Sequence, residues 1–187
     1  MFFLKHIDFS GFSRSDKWEG CFEKKKPFDF LLIEDAIEAV RSFFCDYWED
    51  FFSISALSYN DEIELHKKMP KEYKCFYDDA KKMGYLRDID DKFESYLYGD
   101  IPLAASSLSI SFCNDAFFNV SRLLMGHGGV VGQVLFFINI EIGVALYPHD
   151  DIGFGIISLA KDNEICKDFL NFIENDYRYK DKFRVIR

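Results

Sequence analysis

Residues 130–162 read VVGQVLFFINIEIGVALYPHDDIGFGIISLAKD, the longest sustained run of apolar and β-favouring residues in the chain, with its charges gathered at the breaks. Ile142–Tyr147 and Gly153–Leu159 predict two strands joined by Pro148-His149-Asp150-Asp151. Proline brings no N–H to a strand ladder, and paired aspartates favour a turn or an exposed loop. Upstream, Val134, Phe136 and Ile138 alternate with Leu135, Phe137 and Asn139, so both faces are apolar. Such a segment is a central strand or the end of a buried helix, and periodicity does not separate the two.

Working outward, the segments on either side supply helices. Phe30, Ile33, Ile37, Val40, Phe44 and Trp48 recur at spacings of three and four, broadened by Leu31, Leu32, Phe43, Tyr47 and Phe51, and predict a buried helix beginning near Pro27 or Phe28. Residues 61–98 predict two or three short helices interrupted at Pro70 and Gly84, with Tyr73, Phe76, Tyr77 and Ala80 on one inner face and Ile89, Phe93, Tyr96 and Leu97 on another. Asp162 is placed to cap a last helix through Ile165, Cys166, Phe169, Leu170, Phe172 and Ile173, followed by a short strand at 183–186. Residues 2–9 and 103–112 read as strands, 115–124 as strand or helix, 10–27 as a loop, and the Ser-rich segment 52–60 as a break. The resulting expectation is one α+β domain over residues 1–187, a central antiparallel or mixed sheet covered by helices.

Composition narrows the class. At 187 residues, 49% of them hydrophobic and 22 of them Phe, the chain has enough apolar mass for a core and is not a disordered polymer. No run approaches the roughly 20 apolar residues that cross a bilayer, and the start lacks a secretion signal, so a cytoplasmic protein is expected. Five widely spaced cysteines make neither a CxxC pair nor an even framework, and mostly buried thiols are expected. The net charge of −9 is concentrated in residues 31–60 and 93–160, each with six acids and one base. The one compact basic run, Lys24-Lys25-Lys26, reads as a solvated loop. Direct nucleic-acid binding is therefore disfavoured, and a basic protein surface is the more natural partner.

Motifs for chemistry are sparse. Gly126-His127-Gly128-Gly129 lacks the GK[ST] ending of a phosphate loop and reads as a tight backbone turn, while Gly153-Phe154-Gly155 suits a strand whose backbone meets a neighbour closely. His149-Asp150-Asp151 pairs an imidazole with carboxylates that can ligate a divalent metal or move a proton, with Glu141 or His127 as possible additions in space. Without HExxH spacing, the same residues also read as a solvent-facing turn or a protein-contact loop. No serine lies in GxSxG.

ALYPHDDIGFGIISLAKD (145–162), followed by CKDFLNFIEND (166–176), resembles the C-terminal part of bacterial immunity proteins of contact-dependent growth inhibition systems. The resemblance spans roughly the last 60 residues and implies a small cytosolic protein that binds and neutralises a cognate toxin domain, often a basic nuclease, by covering its active site or substrate surface. It implies a non-catalytic chain with no metal and no cofactor. Candidate contacts are Asp150 and Asp151 with His149 on the turn, Asp88, Asp90 and Asp91 between helices, Asp78 and Asp79, and the aromatics Tyr85, Tyr98 and Tyr147 as anchors. The competing expectation is a metal-dependent hydrolase using His149, Asp150 and His127, or an acidic adaptor.

Overall fold

The computed structural model describes residues 5–61, 70–160 and 163–187. In chain order the elements are β1 (Trp18–Lys24), α1 (Phe30–Phe43), β2 (Phe52–Tyr59), α2 (Lys71–Lys82), α3 (Asp91–Leu97), β3 (Ser109–Ser111), α4 (Asn114–Met125), β4 (Val130–Asn139), β5 (Val144–His149), β6 (Gly153–Ser158), α5 (Glu164–Asn175) and β7 (Phe183–Ile186). Seven strands form one antiparallel sheet in the order β3-β2-β4-β5-β6-β1-β7, flanked by helices, the α+β domain expected from the pattern.

The doubly apolar segment is a central strand because both faces of the sheet are covered. Leu135 and Phe137 face the layer built by α1, α4 and α5, where the Phe137 ring stacks on Phe51 at 4.3 Å and on Phe117 at 4.5 Å. Val134, Phe136 and Ile138 face the other side, under Ile7, Phe9, Phe12 and Phe93. Each fully buried phenylalanine removes enough apolar surface from water to stabilise the fold by about 1.5–3 kcal/mol.

Local signals hold for several helices. Asp29 caps α1 through its carboxylate, which accepts from Leu31 N at 3.0 Å. Pro70 precedes α2 and Gly84 follows it, and Asp90 caps α3 by accepting from Phe93 N at 2.8 Å. The ambiguous 115–124 segment is helical, burying Phe117, Phe118, Val120 and Leu123 on α4. Asn163 caps α5; Asp162 lies outside the described residues, as do residues 2–4 of the strand expected over 2–9, and residues 5–9 join no strand.

Two strands were hidden by composition. The expected loop at 10–27 contains β1, which lies between β6 and β7 and buries Gly20 and Phe22 while its charged residues remain less buried. The expected break at 52–60 is β2, whose serines fit because they are small and find acceptors: Ser53 Oγ donates to Ser111 O at 3.3 Å and Ser58 Oγ to Arg87 O. Conversely, only 109–111 of the strand expected at 103–112 pairs, leaving Ile110 and Phe112 exposed. Leu31 is also exposed, outside the buried stripe of α1. The cysteines differ from expectation as well: Cys45, Cys75 and Cys113 are exposed and only Cys166 is buried. No helix among the described residues is long and apolar enough to cross a membrane.

Candidate metal centre at the β5–β6 turn

β5 and β6 pair without interruption from Val144↔Ser158 to His149↔Gly153, so Pro148 and His149 belong to the strand and Asp150-Asp151-Ile152 makes the turn. Ile152 closes it with φ 55, a left-handed conformation that a β-branched residue seldom adopts. The side chain of Ile152 is fully buried in the core, and that burial holds the turn in place. The glycines on β6 have different roles. A side chain at Gly153 would strike the Phe22 carbonyl, and one at Gly155 would meet the Tyr147 ring at 2.1 Å. Close approach of β1 therefore requires glycine at 153, as the GFG motif suggests.

That approach orients His149. Its Nε2 lies 3.0 Å from Phe22 O, and because a carbonyl only accepts, Nε2 carries the proton and Nδ1 keeps its lone pair. Burial pushes the His149 imidazole below its ordinary range, partly offset by the Phe22 carbonyl and the nearby carboxylates of Glu23, Asp151 and Asp150. The neutral ring is the form that ligates a cation, and a second-nitrogen hydrogen bond to a carbonyl is the usual support for a ligating histidine.

The carboxylates of Asp150 and Asp151 complete the cluster: one ligand atom from each of His149, Asp150 and Asp151 lies within 4.8 Å of the other two. Asp151 is held from β1, where Lys24 Nζ sits 3.1 Å from its Oδ1 and Lys24 N donates to its carbonyl at 3.1 Å. One imidazole and two carboxylates, partly open to solvent, suit Mn2+ or Zn2+ with positions left for water. The expectation of a non-catalytic chain without a metal site is corrected by this cluster.

Beside the cluster, β4 and β5 pair only from Phe137↔Leu146 to Asn139↔Val144. Toward His149 the ladder stops, and a cleft of about 220 Å³ opens, lined by His127, Gln133, His149 and Asp150. His127 reaches this cleft, though it is not one of the three clustered ligands. Glu141 does not: it lies in the β4–β5 turn, at the other end of β5, where its backbone N–H bonds Asn139 Oδ1. The Gly126–Gly129 turn follows the C-terminal end of α4, where carbonyls point outward and an anion is unwelcome; it is the tight turn expected.

The other candidate contacts are dispersed. Asp78 and Asp79 are exposed on α2, with Asp78 Oδ2 3.9 Å from Lys74 Nζ. Asp88 accepts from the Tyr59 hydroxyl, Asp90 is occupied as the cap of α3, and Asp91 is exposed in its first turn. Tyr98 is exposed, but Tyr85 is half-buried with its hydroxyl 2.8 Å from Ser111 Oγ. Tyr147 is corrected outright as an anchor: it is buried beneath Phe12 and Phe136, and its hydroxyl accepts from Trp18 Nε1 at 2.8 Å. The sequence reading missed Lys24, Phe22 and Gln133, and only their strand registers reveal them. A scan of protein-family models, a search of curated proteins and a search of solved structures each found no match to this chain.

Proposed function

We propose that the β5–β6 turn binds one divalent cation on His149, Asp150 and Asp151, and that the chain is a metal-dependent hydrolase. The observation that carries this reading is the convergence of one ligand atom from each of His149, Asp150 and Asp151 within 4.8 Å, at an imidazole also held by Phe22 O. A divalent cation supplies Lewis acidity and makes water ionise near neutral pH. His149 supplies an imidazole nitrogen, Asp150 and Asp151 supply negative charge, and the adjoining cleft admits substrate. His127 lines that cleft from the turn after α4. Five free cysteines, three of them exposed, support a reducing, cytoplasmic setting. The test is hydrolysis of p-nitrophenyl acetate with added Mn2+ or Zn2+. The expected result is a metal-stimulated rate lost in EDTA and in His149→Gln; equal rates in metal and EDTA for folded protein would refute the proposal.

A second reading, binding and neutralisation of a basic toxin domain as in contact-dependent growth inhibition, is supported by the exposed acids Asp88 and Asp91, the exposed Tyr98 and the −9 charge. Purification from native cells at low salt tests it. A stoichiometric basic domain that no longer co-purifies with Asp88→Lys/Asp91→Lys is the expected result, and a partner retained by that folded variant rejects this surface.

A further inference from the structure

A second cavity, of about 900 Å³, lies on the face of the sheet covered by residues 7–12 and 96–103. Phe9, Phe12, Tyr96, Leu97, Ile101 and Leu103 give it apolar walls, and the Tyr96 hydroxyl ties two of them together by donating to Phe9 O at 3.2 Å. Gly132 and Gln133 of β4 line both this cavity and the cleft that holds His149 and Asp150. Gly132 has φ 89, and a side chain there would meet the Phe93 ring at 3.1 Å; Gln133 beside it is exposed, so the two spaces share this stretch of β4.

We infer that the two spaces form one substrate groove, taking an ester or amide whose carbonyl reaches the β5–β6 turn and whose bulky apolar, neutral or cationic group fills the larger cavity. The inference rests on the hydrolase reading. Volume and wall chemistry are those of a small-molecule site. Charge decides the class: Asp8 and Asp100 are the charged residues lining the larger cavity, with no Lys or Arg among the described lining residues. Arg14, which reaches Ser10 O at 3.4 Å and lies near Asp8, offsets one of the two carboxylates and leaves the wall net negative. A phosphate or sulfate group is therefore disfavoured, whereas an amine or quaternary ammonium meets carboxylate charge and aromatic rings. In hydrolysis the oxygen of water bonds to the acyl carbon and the C–O or C–N bond breaks. One water proton passes to the leaving oxygen or nitrogen, giving an acid and an alcohol or amine with no redox partner.

Two measurements separate the groove from the metal reading. With Mn2+ present, kcat/KM for p-nitrophenyl octanoate is expected to exceed that for the acetate about tenfold. Gln133→Trp, which narrows the passage without replacing a proposed ligand, is expected to bring the octanoate-to-acetate ratio of kcat/KM down to about one. Equal rates on both esters, or equal loss on both in the variant, overturn the inference. Independently of metal and turnover, calorimetry on metal-free protein is expected to show octyltrimethylammonium binding at least tenfold tighter than octyl sulfate. Ile101→Lys, at an exposed position of the groove rim, is expected to reverse that order. Binding with this selectivity supports the groove even where no ester is cleaved, and its absence overturns the groove whether or not the metal binds.

Discussion

Lys24→Met offers a perturbation whose sign separates competition from support at the cluster. Lys24 Nζ lies 3.1 Å from Asp151 Oδ1, so this ammonium holds one of the carboxylates a divalent cation needs. At that distance in bulk water the attraction is about 1.3 kcal/mol. Because the Asp151 side chain is 65% exposed, ordering and salt reduce the net to about 1 kcal/mol or less. Removing the ammonium therefore frees Asp151 and also deletes a like charge beside the incoming cation. With 1.4 kcal/mol corresponding to a factor of ten, the variant is expected to bind Mn2+ about fivefold more tightly. The turn itself should hold, because its tether to β1 is the backbone bond from Lys24 N to Asp151 O, which methionine retains. Calorimetric titration at low and high salt reads the effect, with the gap between wild type and variant narrowing as salt screens the pair. Weaker binding by folded Lys24→Met would rule out competition, since it would make Lys24 a support for the ligand carboxylate.

Further outcomes follow from the same geometry. Because burial lowers the His149 pKa from 6.5, metal affinity should be flat above that pH and decline only as the ring protonates below it; a decline already under way at pH 7.5 contradicts a neutral His149. The same shift sets the pH dependence of stability. Above pH 6.5 the ring is neutral in both states; as pH falls from there through the lower folded value, the unfolded chain takes up the proton first and stability is lost. Gly155→Ala would place Cβ 2.1 Å from a Tyr147 ring pinned by Trp18, an overpacking cost of about 1–3 kcal/mol, and should lower Tm by several degrees in a thermal scan. An unchanged Tm would show that Tyr147 moves freely. Asp90→Ala removes the α3 cap and should cost about 1 kcal/mol in denaturant unfolding, against no loss if Asp90 is free for partner contact.

The parts legible in the sequence were those whose signals are local. Apolar spacing placed α1, Pro70 and Gly84 bounded α2, and the Pro148–Asp151 stretch placed the β5–β6 hairpin with its three clustered ligands. β1 and β2 escaped because glycine, lysine and serine dominate or flank them, and their strand character comes from pairing on both sides. What completes the site is likewise non-local: Lys24 meets Asp151, and Phe22 meets His149, across 127 residues of sequence in each case. Tyr147 looked like an exposed anchor because nothing in its own strand shows that residues 7–12 cover that face. Gln133 carries no motif; its position follows from where the β4–β5 ladder ends.

The most direct measurement is equilibrium dialysis of Mn2+ and Zn2+ against the purified chain, beside folded His149→Ala and Asp150→Asn/Asp151→Asn variants. One equivalent bound by the wild type is expected, with affinity reduced at least tenfold in each variant. No stoichiometric metal on the folded wild type, or equal binding by the variants, would contradict a metal centre at the β5–β6 turn.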